Sequence, residues 1–151
     1  MTTLTRRNQF EVIGVPAPQG SKSAVPTSGK PRIIEGRSTT QRSKHKAWRG
    51  AVAQAAKDLT THDDPTIRVD QYTGPTKATI AFEFPRPKTR PRRHHGWHTV
   101  PPDADKVLRS TLDGLKDGGL IADDKLICWI EVTCTETTGW TGATITLEAI
   151  E

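Results

Sequence analysis

Asp103 and Asp105 stand just ahead of a helical stretch, Arg109 and Asp113 lie along it, and Asp123 and Asp124 follow on a turn beside Lys125. So many carboxylates in one short segment of a basic chain suit a hard divalent cation such as Mg2+. That ion takes a few carboxylates, keeps several waters and completes its shell with substrate phosphate oxygens. Lys and Arg outnumber Asp and Glu by 22 to 17, and with a net charge of +5 and a pI near 9.5 the phosphates indicated are those of nucleic acid. A blander account treats the acids of the first turn as partners of the helix dipole and Asp105, Arg109 and Asp113 as ordinary surface pairs. Asp103 taken alone reads better as a helix cap than as a ligand. Left over is the second acidic pair, because a turn needs at most one Asp.

The other candidate is residues 86–98, with Arg86, Lys88, Arg90, Arg92 and Arg93 among prolines, then His94, His95, Trp97 and His98. A run this basic is expected outside the core, tracking a phosphate backbone, with the prolines reducing the entropy lost on binding. Trp97 is suited to stacking on an unpaired base or to folding back on the domain. The three histidines read as DNA-contacting or exposed rather than as a zinc site. Near the start, Gly20 and Ser21 read as a turn, since the P-loop spacing is absent, with Lys22 as an auxiliary phosphate contact. Lys106 adds a further cation beside the acids.

These residues need elements to position them. At about 100° per residue, Val107, Leu108, Thr111, Leu112 and Leu115 share one side of a helix, and Asp105, Arg109 and Asp113 share the other. Pro101 and Pro102 favour an extended approach, Asp103 can cap, and Gly118 with Gly119 supplies the stop. A second helix is expected over residues 43–59, with Trp48, Val52, Ala55 and Leu59 inward and Lys44, Lys46, Arg49 and Lys57 more exposed. Strands are expected at 9–15, 31–35, 77–84, 127–135 and 142–150, the last three by clean alternation. Residues 60–72 read as a connection with Asp63, Asp64 and Asp70 solvated. The pattern is α+β: a small single domain, residues 1–151, with a mixed or antiparallel sheet of about four to five strands and two main helices. Cys128 and Cys134 lie too far apart on one strand for a disulfide and read as reduced, buried thiols of a cytoplasmic protein. No membrane-spanning run and no signal-peptide pattern is expected to matter.

The run Pro102, Asp103, Ala104, Asp105, Lys106, Val107, Leu108, Arg109, Ser110, Thr111, Leu112, Asp113, Gly114, Leu115, followed by Gly119, Leu120, Ile121, Ala122, Asp123 and Asp124, resembles the signature of the RusA family. These are small, often phage-encoded Holliday junction resolvases. The resemblance extends more loosely to residues 14–21 and 75–91. It implies a small α+β homodimer that cuts four-way junctions by paired, ligatable nicks in DNA recombination and repair, using Mg2+ for which Mn2+ can substitute. It places the metal-binding carboxylates on Asp103, Asp105 and Asp124, with Asp123 nearby. It places the basic catalytic residue on Arg109, where the family pattern has Lys; an Arg grips phosphate but stays protonated and cannot act as a base. Asp113 would then orient Arg109. Two rival readings are a PD-(D/E)xK-type nuclease built on Asp103, Asp123, Asp124 and Lys125, and a non-catalytic DNA-binding protein using the basic loop alone.

Overall fold

The computed structural model describes residues 4–19, 22–25, 32–35, 39–90 and 96–151. In chain order these form β1 (Leu4–Ile13), β2 (Lys22–Val25), β3 (Arg32–Glu35), α1 (Thr39–Thr60), β4 (Thr76–Pro85), α2 (Ala104–Asp117), a 3-10 turn (Asp124–Leu126), β5 (Ile127–Thr137) and β6 (Gly142–Ile150). Four strands make a mixed sheet in the order β1-β6-β4-β5, and β2 pairs with β3 in a separate hairpin. The expected class is therefore the observed one, an α+β domain with two helices.

Alternation in β4 decides which face is covered. Ala78, Ile80, Phe82 and Phe84 are buried while the residues between them are half-buried. Register sets Ile80 beside Ile145 of β6 and Val132 of β5, so one apolar stripe crosses the sheet. Trp48, Val52 and Ala56 of α1 and Val107 and Leu115 of α2 complete the core on that face. Trp48 meets Phe82 edge-on at 6.4 Å, and its indole N–H donates to Thr111 Oγ1 at 3.1 Å, so the one polar atom of a buried ring is satisfied. The two helices touch closely because α2 carries glycine where they cross. A Cβ on Gly118 would lie 2.3 Å from the Ala53 carbonyl, and one on Gly114 would lie 2.8 Å from Val52 Cβ.

β4 and β5 are parallel neighbours, so the chain between them must cross over, and α2 is that crossover. Residues 97 and 98 pair with the end of β5, through the Trp97 to Thr135 bridge and the His98 amide bound to Cys134 O at 3.0 Å. α2 then runs back to the start of β5, where Lys116 in its last turn lies 3.9 Å from Asp123. The acidic motif thus has two ends, separated by the length of α2.

Several expectations shift. β1 and α1 start earlier than their patterns suggest, and β2, which follows Gly20 and Ser21 and contains Ser23, is an additional strand beyond those expected. Arg49, read as exposed, binds both oxygens of Asp117 at 2.6 and 3.1 Å and so ties α1 to α2. Asp64 is not simply solvated; it accepts from the Thr66 amide and hydroxyl at 2.9 and 2.7 Å and is held below the ordinary carboxylate value by those bonds. Both cysteines are free, but Cys128 is exposed because β5 is an edge strand whose beginning is uncovered. Among the described residues no helix is long and apolar enough to cross a membrane.

Candidate active site

The extended approach expected of Pro101 and Pro102 is not found, because their shared peptide bond is cis and the chain bends at both prolines before Asp103, which occupies the N-cap position of α2 with φ −71° and ψ 143°. The Asp103 carbonyl accepts the Val107 amide at 3.2 Å, yet its side chain makes no capping bond. The carboxylate is exposed and 3.9 Å from Lys106 Nζ. Asp103 therefore takes the cap position while leaving its charge outward, which corrects the simple cap reading. Asp105 follows in the first turn, also exposed. Arg109, one turn further, is exposed and makes no ion pair with a described residue. The expected ladder of surface pairs is not there. Asp113 instead faces Arg49 at 3.6 Å, so it braces the helix pair rather than orienting Arg109.

The approach to Asp103 is not a free loop. Beyond the Trp97 bridge, the Glu136 amide donates to Gly96 O at 2.6 Å, which zips residues 96–98 onto β5. Arg90 folds over this strip. Its Nε and Nη2 donate to Glu136 Oε1 at 3.2 and 3.0 Å, and Nη2 also reaches Thr99 Oγ1 at 2.8 Å. The Glu136 side chain is 1% exposed and that of Arg90 17%, so this is a largely buried pair. His98 lies beneath, its ring stacked on Phe84 with centroids 4.0 Å apart and Nδ1 3.5 Å from Glu136 Oε1. Burial pushes the His98 ring below its ordinary value of 6.5, with the Glu136 charge opposing. Two expectations are corrected here: Arg90 is used internally rather than displayed to a phosphate backbone, and His98 is 5% exposed rather than outward.

The other cations keep outward positions or fall outside view. Lys88 is exposed, as is Lys106. The Arg86 amide donates to Thr137 O at 3.0 Å, anchoring the start of the loop. Arg92, Arg93, His94 and His95 lie outside the described residues, as does the side chain of Lys22. Trp97 is 51% exposed although its backbone is pinned by the bridge to Thr135. The Gln19 amide donates to Lys106 O at 3.2 Å, which brings the connection after β1 against the first turn of α2. Between that turn and the end of β5 runs an open groove of about 320 Å³, lined by His98, Thr99, Pro101, Asp103, Ala104 and Cys134.

The far end of α2 is built differently. Asp123 accepts the Lys125 amide at 3.3 Å and lies 3.9 Å from Lys116 Nζ and 3.8 Å from Lys125 Nζ. Its carboxyl is held below the ordinary value, first by a hydrogen bond with Asp124 and then by the Lys125 amide and the two lysines. Asp123 is thus the cap of the 3-10 turn, and Asp124 opens that turn with an exposed side chain. The 14 residues of α2 span roughly 21 Å at 1.5 Å each. Ligands of one Mg2+ sit about 2 Å from it. Asp124 and Asp123 therefore do not join Asp103 and Asp105 around one ion within a single chain, and among the described residues no three His, Cys, Asp or Glu side chains are grouped to hold a metal. Asp103 and Asp105 alone still fit a hard cation, because Mg2+ is commonly held by one or two carboxylates plus waters and phosphate oxygens. The PD-(D/E)xK reading fares worse: its half-motifs sit at a helix cap and a 3-10 turn with α2 between them, not on neighbouring strands.

Glu136 escaped the sequence reading although a signal existed. It shares the parity of Ile130, Val132 and Cys134, so continuing the strand one residue further would have put an acid on the covered face, where it needs a buried partner. No curated protein matches the chain. The model of a family described as endodeoxyribonuclease RusA matches residues 23–148, a span that contains α2, both acidic pairs and the strapped loop, and the protein accordingly belongs to the RusA family of endodeoxyribonucleases.

Proposed function

We propose that the whole chain is one nuclease domain that resolves four-way DNA junctions as a homodimer, cutting opposing strands by paired symmetric nicks with Mg2+, or Mn2+ in its place. The observation that carries this reading is an exposed Asp103 at the mouth of a groove, with an exposed Asp105 two residues on in the first turn of α2, in a member of an endodeoxyribonuclease family. Asp103 and Asp105 supply the carboxylate oxygens that hold the cation. When bound, the cation supplies an activated water and neutralises charge on the scissile phosphate. Arg109, exposed and without an ion-pair partner among the described residues, grips a phosphate oxygen and steadies the transition-state charge without moving a proton.

Binding falls to Lys22, Arg86, Lys88, Arg92, Arg93 and Lys106 at the phosphates, with Trp97 stacking on a base freed at the junction centre. Arg90 is withdrawn from that group because Glu136 occupies its guanidinium. Support for a dimer comes from the separation of the acids. Asp124, at the opposite end of α2, can join an Asp103 and Asp105 site only from a second copy of the chain. A two-fold axis would then give two such sites, matching the near two-fold symmetry of the junction.

The test is cleavage of a labelled synthetic four-way junction against the matching linear duplex, with Mg2+ and with EDTA. Symmetric nicks confined to the junction, dependent on the metal and absent from Asp105→Asn, are the expected result. Tight binding with no cutting under any divalent ion would favour the non-catalytic DNA-binding reading instead. Mixing Asp105→Asn with Asp124→Asn tests the shared site, since only a mixed dimer with one intact composite site recovers cutting.

A further inference from the structure

The groove beside Asp103 is walled by a buried polar cluster that the nuclease chemistry does not itself use. Glu136 sits on the core-facing side of β5, opposite Phe84 of β4, where every neighbour along that side is apolar or a thiol. An acid there is costly unless it is paired. Its partner, Arg90, comes from just beyond the end of β4, and the same guanidinium holds Thr99 on the far arm of the loop. His98 is clamped between the Glu136 carboxylate and the Phe84 ring, and its own amide is bound to Cys134 O. One buried carboxylate thus joins both arms of the connection that leads into α2. From His98 the chain has only five residues to reach Asp103, two of them prolines that limit how it can bend. Glu136 Oε2 and both His98 ring nitrogens make no conventional hydrogen bond, so the side chains of the cluster are held chiefly by the Arg90 fork and by the stack on Phe84, beside the backbone bonds that pair residues 96–98 with β5.

We propose that Glu136 is a positioning residue of this nuclease: through Arg90 and His98 it fixes residues 96–103 against β5 and thereby sets where the Asp103 carboxylate and the first turn of α2 stand. The proposal rests on the reading of Asp103 as a site carboxylate. A displacement of about 1 Å at a reacting group can cost on the order of 100-fold in rate, so a strap this short has a kinetic consequence even though it touches neither substrate nor metal.

The experiment uses the full chain and Glu136→Gln, which keeps shape and removes the charge that holds Arg90, with Arg90→Lys as a second variant that keeps charge and loses the fork. Junction binding is measured in Ca2+, single-turnover cleavage is measured over a range of Mg2+ concentrations, and amide hydrogen exchange is read at residues 96–98 and 136. Expected for Glu136→Gln are a Kd within about threefold of wild type, cleavage slowed on the order of 10- to 100-fold, a higher Mg2+ midpoint, and faster exchange at the His98 and Glu136 amides alone. Arg90→Lys should fall between. Wild-type cutting by Glu136→Gln overturns the proposal and leaves the nuclease reading intact. A parallel loss of melting temperature, binding and cleavage in both variants overturns it as well, by making the cluster merely structural. A wild-type protein that cuts no junction overturns both.

Discussion

The two ends of α2 carry the same chemical currency, a pair of aspartates, and handle it in opposite ways. At the N-terminal end Asp103 and Asp105 are exposed and, among the described residues, share one cation partner, Lys106 at 3.9 Å from Asp103, while the chain leading to them is strapped down by a buried ion pair. At the C-terminal end Asp123 is neutralised by Lys116, Lys125 and a backbone amide, and the turn that bears it is small and exposed. Rigid support under an unspent charge is the arrangement a reacting site needs; a charge already balanced by its own neighbours is the arrangement of a turn. Asp124 sits between these descriptions, exposed like the first pair and placed like the second.

The contrast is broken most directly by Asp105→Asn. It should slow single-turnover junction cleavage by roughly 100-fold or more while binding holds or tightens, because the lost charge contributed to the reaction and repelled DNA. Asp123→Asn should leave cleavage within about threefold of wild type in the same assay, since its carboxylate already has partners. Comparable losses from both variants would erase the distinction between the ends.

The helix must also be held at the right distance from α1 for either end to be placed. Gly118→Ala, forcing a methyl against the Ala53 carbonyl, should cost about 1–3 kcal/mol in a denaturant titration. Acid sharpens the comparison further. His98 has a folded value below 6.5, so as pH falls the unfolded chain takes up its proton first, and stability is lost from about pH 6.5 downward. Asp123 has a folded value below 3.8, so its contribution is present above that value and lost only as pH falls through the lower folded one. Thermal melts should therefore decline between pH 7 and 5 in wild type and decline less in His98→Phe, which keeps the ring on Phe84. Arg109→Lys retains a cation at an exposed position but loses the planar fork, and should slow cleavage by about tenfold, less than Asp105→Asn.

What could be read in the sequence followed from period. α2, β4 and β6 are long enough to repeat their patterns, and their large apolar core residues, such as Val107, Leu115, Ile145 and Leu147, are legible in the sequence, whereas the buried Ser110, Gly114, Thr146 and Glu148 carry no such signal. The carboxylates were visible by type, but their separation was not, because a linear motif gives spacing along the chain and only a placed helix turns spacing into distance. β2, Lys22–Val25, carries one large apolar residue, Val25, against two in its partner β3, Ile33 and Ile34, and so gives a weaker strand signal at the same length. Arg90 was miscast for a related reason. A guanidinium in a basic run looks solvent-facing until the acid it answers is located, and that acid lies 46 residues away on another element.

β5 closes one side of the main sheet, and an uncovered strand edge offers its backbone to any other strand. Residues 96–98 occupy the upper part of that edge, so the end of the loop proposed to contact DNA also serves as the sheet's selvedge. Anyone trading this loop for a shorter or differently charged one to retune selectivity would also be unhemming the fold, and should expect poorly soluble protein before altered cutting. A graft that keeps residues 96–103 with Arg90 and changes only the stretch between them leaves the hem in place.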